Sequence, residues 1–345
     1  MQRVSIEKYL SADAKTPVID VRSPAEFTKG HIPGAINIPL FSDLERAKVG
    51  TVYKQKSKEE AISLGLEIVG PKMKTMAELA KEYALNKQLK LYCWRGGMRS
   101  EKMAWLFELV GLKTTVLEGG YKAYRNYLHN KFDSIEQLIV LQGPTGSAKT
   151  YILQALSELG EQIIDLEGLA NHKGSVFGGL GEPEQPTTEQ FQNNIVELLD
   201  SFDLTKTIWV ESESMTIGRV YLPEELWHKM NNSTVVSIDV PREFRIRHII
   251  AQYGQFKSEQ LISRIEKLQQ RLGGKAMSEI IEYVQKEDLY HAVDMLLDYY
   301  DNSYAHSSKK YKTKKPIVVY LDSDKADINA QKLVECVLEN QYDKI

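Results

Sequence analysis

Short apolar runs alternate along this chain with longer stretches in which apolar residues recur every three or four positions. The short runs fall at residues 17–21, 90–92, 114–117, 137–142, 162–166, 207–210, 234–240 and 316–321, with another after the turn within 30–39. Runs this brief, bounded by glycine, proline and charged residues, read as buried strands. Helical periodicity covers residues 58–69, 73–86, 101–110 and 150–159, then 257–300 with a break at Gly273-Gly274. Strands that alternate with helices predict parallel sheets, hence an α/β fold. A length of 345 residues suggests two domains. We place them at 1–130 and 131–345, with the boundary near 128–136 and a helical region at about 242–312 in the second. Residues 168–182 are glycine-rich and fit no sizeable element. A loop of that length in a compact domain is often a lid or a binding loop.

Charge changes this picture more than composition does. The formal net charge of −3 hides an asymmetry. Residues 1–130 hold 21 lysines and arginines against 14 acidic residues, a net of +7; the remainder holds 23 against 33, a net of −10. A basic first domain suits an anionic substrate. The acidic second domain excludes a general nucleic-acid binder, so any RNA contact there needs a local patch. Neither a membrane-spanning run nor a signal peptide is visible. The two cysteines, Cys93 and Cys336, lie in different domains, and no Cys/His cluster has zinc spacing. A reducing, cytoplasmic setting is expected, and a monomer is the expected state.

The strongest chemical signal is Cys93-Trp94-Arg95-Gly96-Gly97-Met98-Arg99-Ser100. Apolar residues lead into the cysteine, two glycines and two arginines follow, and a helix begins. That order places Cys93 at the carboxyl end of a strand, where open parallel sheets hold their sites. Loop amides and a helix N-terminus make an anion-binding concavity. Arg95 and Arg99 add full charges, and the whole can stabilise an anionic sulfur nucleophile. A merely buried core cysteine would need neither the glycine pair nor the arginines.

These residues carry a resemblance. Ile19-Asp20-Val21-Arg22 with Glu26-Phe27, Gly30-His31-Ile32-Pro33-Gly34-Ala35-Ile36-Asn37-Ile38-Pro39, the cysteine loop and Leu117-Glu118-Gly119-Gly120-Tyr121 together resemble a rhodanese domain. The resemblance implies a cysteine that carries sulfur or selenium as a persulfide-type adduct. Asp20, Arg22, Glu26 and His31 then support the fold. The Cys-x5-Arg spacing from Cys93 to Arg99 is longer than in the common rhodanese loop. Related phosphatases share that length, but they place a histidine where Tyr92 stands here. The longer loop equally suits selenophosphate.

A second phosphate-binding signal follows the run at 137–142. Gly143-Pro144-Thr145-Gly146-Ser147-Ala148-Lys149-Thr150 lies between a strand and a helix, the context that makes a P-loop match credible. Its amides would hold a diphosphate, Lys149 would neutralise it, and Thr150 could meet magnesium. Ala148 stands where the motif expects glycine. Glu211, Glu213 and Asp165, at strand ends, are candidates for an acid or a magnesium-side role, and any metal stays unassigned. Glu167 holds a similar position. Arg242, Arg245 and Arg247 sit at a helix start and could clamp phosphate or RNA. Lys309, Lys310, Lys312, Lys314 and Lys315 flank Tyr311 in the densest positive patch, a candidate RNA track.

With the two domains in this order, and with Asp165-Leu166-Glu167-Gly168-Leu169-Ala170-Asn171-His172-Lys173-Gly174-Ser175 after the P-loop, nearly the whole chain resembles the bacterial tRNA 2-selenouridine synthases. That resemblance implies action on the wobble uridine of the tRNA anticodon loop, with 2-thiouridine converted to 2-selenouridine through an S-geranyl intermediate. Selenophosphate and geranyl diphosphate would be the co-substrates, a selenophosphate-supplying enzyme a partner, and ATP not required. The Gly-Pro-Thr opening resembles the P-loop of tRNA prenyltransferases, which favours a prenyl diphosphate over a nucleotide. Two other readings stand beside it. One is a rhodanese-type sulfurtransferase or phosphatase fused to a nucleotide kinase-like domain. The other is an RNA-binding adaptor with inactive loops, against which the intact Cys93, Lys149 and Thr150 argue.

Overall fold

The computed structural model describes residues 1–11, 13–307 and 316–342. The chain divides into two units, Met1–Lys131 and Phe132–Ile345.

The first unit is built on five parallel strands: β1 Gln2–Val4, β2 Val18–Asp20, β3 Ile36–Asn37, β4 Gln88–Tyr92 and β5 Lys113–Leu117. Their order is β1-β5-β4-β2-β3. β4 is therefore central, and all but its first residue are buried. The core beside it joins Ile19, Leu89, Leu91 and Val116 to the helices Met73–Tyr83 and Met98–Leu109. Two elements escape the apolar pattern. β1 is an edge strand of three residues with a single buried side chain. The helix Asp43–Gln55 has no buried residue; it starts from a capping box in which Ser42 accepts from the Glu45 amide and Glu45 from the Ser42 amide. The helix expected over 73–86 stops at Tyr83, because Asn86 and Lys87 take the left-handed conformation.

The second unit holds five more parallel strands: β6 Gln137–Gln142, β7 Gln162–Ile164, β8 Thr207–Glu211, then β11 Thr234–Asp239 and β12 Ile317–Tyr320 after a two-stranded antiparallel hairpin, β9 Thr216–Ile217 with β10 Val220–Tyr221. The order β12-β11-β6-β8-β7 again puts the strand that carries the loop motif at the centre. One core packs this sheet on the helices Lys149–Glu158 and Ala326–Tyr342. A second core gathers the helices Ser258–Ile265, Gly274–Gln285 and Leu289–Ser307 around Phe177 and Leu180. The glycine-rich stretch is thus part wall of that core. It also starts later than its composition suggests: β7 ends at Ile164, Asp165 accepts from the Gly168 amide at 2.7 Å, and a short helix Leu166–Ala170 follows. No helix among the described residues is long and apolar enough to cross a membrane.

Candidate active sites

In the first unit Cys93 leaves the end of β4 and sits buried at the foot of its loop. The helix Met98–Leu109 begins five residues later. Ser100, itself fully buried, places its hydroxyl 3.2 Å from Cys93 Sγ and 3.1 Å from the Gly97 carbonyl. The loop is clamped from behind by the turn after β5. The Tyr121 and Lys122 amides donate to the carbonyls of Cys93 (2.8 Å) and Trp94 (3.0 Å). Only glycine fits that contact: a Cβ on Gly120 would stand 2.2 Å from the Cys93 carbonyl oxygen, and one on Gly96 2.4 Å from that of Leu117. Both residues have positive φ. From the edge strand, Arg3 donates to the Gly96 carbonyl and pairs with Glu101.

The four supporting residues behave as a frame. Arg22 grips Asp20 with contacts of 2.6–3.0 Å, donates to the Gly30 carbonyl, and lies 3.9 Å from the Tyr121 ring centroid, all out of solvent. His31 stacks on Phe27 and bonds its carbonyl. Glu26 reaches forward to Arg99 at 2.7 Å. Burial raises the Glu26 carboxyl, but the Arg99 hydrogen bonds and charge, the Ser23 amide and the Arg46 charge together outweigh it and hold the group below its ordinary value. Arg99 is therefore positioned beside the loop with part of its hydrogen-bonding capacity already used. Arg95 is exposed and has no ion-pair partner among the described residues; Trp94 and Met98 are exposed beside it.

In the second unit the loop after β6 has the geometry its sequence implies. Gly143 approaches Ile238 so closely that a Cβ would stand 2.5 Å from it. Gly146 has φ +81°, and Ala148 has φ +60° with ψ +26°. The motif's usual glycine at that position is explained by this left-handed turn, which Ala148 adopts at a cost. The helix Lys149–Glu158 follows, with Lys149 Nζ folded onto the Gly143 carbonyl at 2.9 Å. Ser147 Oγ is buried without a partner.

Beside the loop, Thr150 donates to Glu167 at 3.1 Å, and the Glu167 amide donates to Glu211 at 2.7 Å. Glu167 and Glu213 share a hydrogen bond between their carboxyls. Burial pushes all three carboxyls up. Glu213 rises to about 8, with the Glu167 charge as the next cause; Glu211, fully enclosed, is also pushed well up, by burial first and then by the Asp165 and Glu167 charges. The P-loop opens onto a cavity of about 780 Å³. Loop residues, Thr150, Glu167, Glu213, Lys173 and His248 line it together with further polar side chains such as Gln154, Asn231 and Gln252; its apolar lining comes from Phe177, Trp227, Ile249 and the three helices of the second core. His248 is held below its ordinary value by burial, then by Lys149 and Lys173.

The comparisons with known proteins agree across both units. A family model described as the tRNA 2-selenouridine synthase AAA domain matches residues 136–335, and a rhodanese-like domain model matches residues 6–127. The tRNA 2-selenouridine synthase of Shewanella frigidimarina is 36% identical over 332 residues, 85% of this chain and 89% of its own. The chain belongs to the tRNA 2-selenouridine synthase family. The synthase of Shewanella denitrificans is 36% identical over 78% of this chain and 79% of its own. The match to that of Nitrosomonas europaea is 40% identical and spans 70% of this chain but 64% of the relative's length.

Within this family framework, several residues singled out by sequence stand elsewhere than expected. Asp165, directly after β7, also caps the helix Leu166–Ala170, and burial raises its carboxyl. Arg242 and Arg245 are not free phosphate clamps. Arg242 pairs with Asp294, Asp298 and Asp301. Arg245, buried, pairs with Asp301 and donates to the Thr145 carbonyl at 2.9 Å, so it braces the P-loop from behind. Arg247 stacks over Phe244 and faces Asp324 at 3.8 Å. Lys309, Lys310, Lys312, Lys314 and Lys315 lie outside the described residues. Glu167, Lys173 and His248 line the cavity beside the P-loop and are candidates that sequence underrated. The first follows β7 by three positions and Lys173 lies in the stretch Asp165–Ser175 that carries the family resemblance, both usable signals; His248 had none.

Proposed function

We propose that the chain converts 2-thiouridine at the tRNA wobble position to 2-selenouridine in two steps, each using one of the two sites. In the first, the P-loop holds geranyl diphosphate and the thiouridine sulfur is alkylated as diphosphate leaves. In the second, the Cys93 thiolate takes selenium from selenophosphate as an S–Se adduct while phosphate leaves, a two-electron oxidation for which a small-molecule disulfide is the acceptor. The adduct's selenium bonds to C2 as geranyl thiol departs, and the thiols formed from that disulfide cleave the Se–S bond to release selenouridine and the Cys93 thiol. Alkylation matters because C2 of a thiouridine is a poor electrophile with a poor leaving group, and the geranyl group improves the departing sulfur. The family supports tRNA as substrate. The observation that carries the choice of donor is the continuity between the P-loop and a large cavity that the helices of the second core line with apolar side chains. Diphosphate recognition at one end and hydrocarbon lining at the other suit a prenyl diphosphate, and the volume lies within the roughly 300–1,000 Å³ of ligand pockets.

Around the diphosphate, Lys149 and the helix N-terminus supply positive charge. Among the described residues no three His, Cys, Asp or Glu side chains stand at metal-binding spacing. Magnesium therefore fits only as a companion of the diphosphate, with Thr150 the residue that would meet it, and its chemistry would be to neutralise phosphate oxygens. ATP has no place in this scheme. At the other site, Ser100 donates to the sulfur, and Arg95 with Arg99 receives the phosphate released from selenophosphate.

Nucleoside mass spectrometry of thiolated tRNA tests the assignment. Lys149→Ala should abolish geranylation yet still selenate tRNA that is already geranylated. Cys93→Ala should give the reverse. Equal loss of both steps in either variant would contradict the division of labour.

A further inference from the structure

The cavity has a direction. Arg245 ties the Thr145 carbonyl of the P-loop to Asp301, so the carboxyl-terminal part of the Leu289–Ser307 helix lies at the phosphate end. The opposite end of that helix reaches Gly254, where an added Cβ would stand 3.2 Å from Leu289 Cδ1. Between them the helix turns one continuous stripe into the cavity: Leu289, Ala292, Val293, Leu296, Leu297 and Tyr300. These positions recur at the three- and four-residue spacing of a single helix face. Each turn advances about 5.4 Å, close to the length of one extended isoprene unit. The stripe is thus a graduated wall, and Ala292 is its narrowest side chain, 1% exposed and two turns from the phosphate end. Phe177 of the glycine-rich loop and Leu261 line the same cavity and belong to the same core cluster as Ala292.

We propose that this helix face is the ruler that sets the prenyl chain length of the donor: the small side chain of Ala292 admits the second isoprene unit, and Leu289 stops a third. The inference rests on the prenyl diphosphate reading of the P-loop and goes beyond it, since that reading names a ten-carbon donor without saying which residues select its length. Filling the cavity at Ala292 shortens the accepted chain, and trimming the stop at Leu289 lengthens it.

The test offers dimethylallyl, geranyl and farnesyl diphosphates in equimolar competition to the full-length protein with thiolated tRNA, and measures the S-prenyl thiouridines by mass spectrometry. Wild type should favour the ten-carbon product. Ala292→Leu should move the five- to ten-carbon product ratio at least tenfold toward five carbons. Leu289→Ala, at a half-buried position where loss of fold is less of a risk, should move the fifteen- to ten-carbon ratio at least tenfold toward fifteen. Thermal melting accompanies both variants, and if Ala292→Leu fails to fold, Leu289→Ala alone decides. Folded variants with wild-type ratios would overturn the ruler while leaving the donor class intact. A wild-type protein that transfers none of the three chains would overturn the donor reading and the ruler with it.

Discussion

The carboxyl pair beside the P-loop gives a prediction whose sign and size follow from the structure. Burial first, and the Glu167 charge second, raise Glu213 from 4.5 to about 8, and the two side chains share a hydrogen bond. A carboxyl raised in this way binds its proton more tightly in the folded state than in the unfolded one. Its ionisation therefore costs stability. The cost is absent below the unfolded value, grows as pH rises through the interval between the two values, and is complete once pH passes the folded value. At about 1.4 kcal/mol per pH unit, the pair would cost about 1 kcal/mol at pH 5 and about 3 kcal/mol at pH 7. Glu213 is half-buried, and solvent screening reduces this to on the order of 2 kcal/mol between pH 5 and pH 8. Glu213→Gln removes the titration and keeps a donor for Glu167. Urea unfolding followed by the fluorescence of Trp209, fully buried in the second unit, reads the effect. Wild type and variant should nearly coincide at pH 5 and separate by about 2 kcal/mol by pH 8, with the variant the more stable. Parallel stability profiles across that window would refute the shared-proton reasoning.

Two further substitutions probe the loops themselves. Ala148→Gly relieves a left-handed alanine, worth about 1–2 kcal/mol, against a smaller loss from glycine's freedom in the unfolded chain; a net gain of about 1 kcal/mol in urea unfolding is expected, and a loss would mean the methyl has packing of its own. Gly120→Ala forces a methyl to 2.2 Å from the Cys93 carbonyl at φ +59°. It should destabilise the first unit by about 2 kcal/mol or more and stop selenium loading of Cys93 by intact-protein mass spectrometry, while prenyl diphosphate binding at the P-loop stays at wild-type level.

What the sequence made legible was whatever chemistry lies in one contiguous stretch. Cys93 to Ser100 and Gly143 to Thr150 each carry nucleophile or cation, glycines and helix start within eight residues, so order alone implied strand, loop and helix. The glycine at 120 was visible too, but the reason for it was not, because the clamp on Cys93 is made across the sheet. Arg242 and Arg245 misled for the same cause: at a helix start they look like anion ligands, and their acidic partners lie about fifty residues on, in a helix no local pattern pairs with them. Asp165 reads as the end of a strand because Ile163-Ile164 is apolar, yet its side chain wins the competition for the Gly168 amide and turns the chain into a helix. The cavity was illegible in a different way. The stripe from Leu289 to Tyr300 is plain helical periodicity, and nothing in a single helix says whether its apolar face meets a neighbour or a ligand.

The two sites solve one electrostatic problem differently. The Cys93 loop sits in a unit whose net charge is +7, with Arg95 exposed and Arg99 held by Glu26, so long-range attraction and local donors act together. The P-loop sits in a sequence of net charge −10, where the distant field opposes an anion. Screening limits that field to about 8–10 Å at ordinary salt, so what decides binding is the charge in the first shell around the loop. Three carboxyls, Glu167, Glu211 and Glu213, stand there against Lys149. Were all three ionised, they would outweigh the lysine. Burial favours the neutral form of Glu211, and Glu213, raised to about 8, shares its proton with Glu167 at neutral pH, which lowers the negative charge around the loop and helps the amides and Lys149 prevail. Affinity for a prenyl diphosphate should therefore fall as pH rises past about 8 in wild type and stay level in Glu213→Gln, which makes the proton on the carboxyl pair part of the binding site and not only a consequence of its burial.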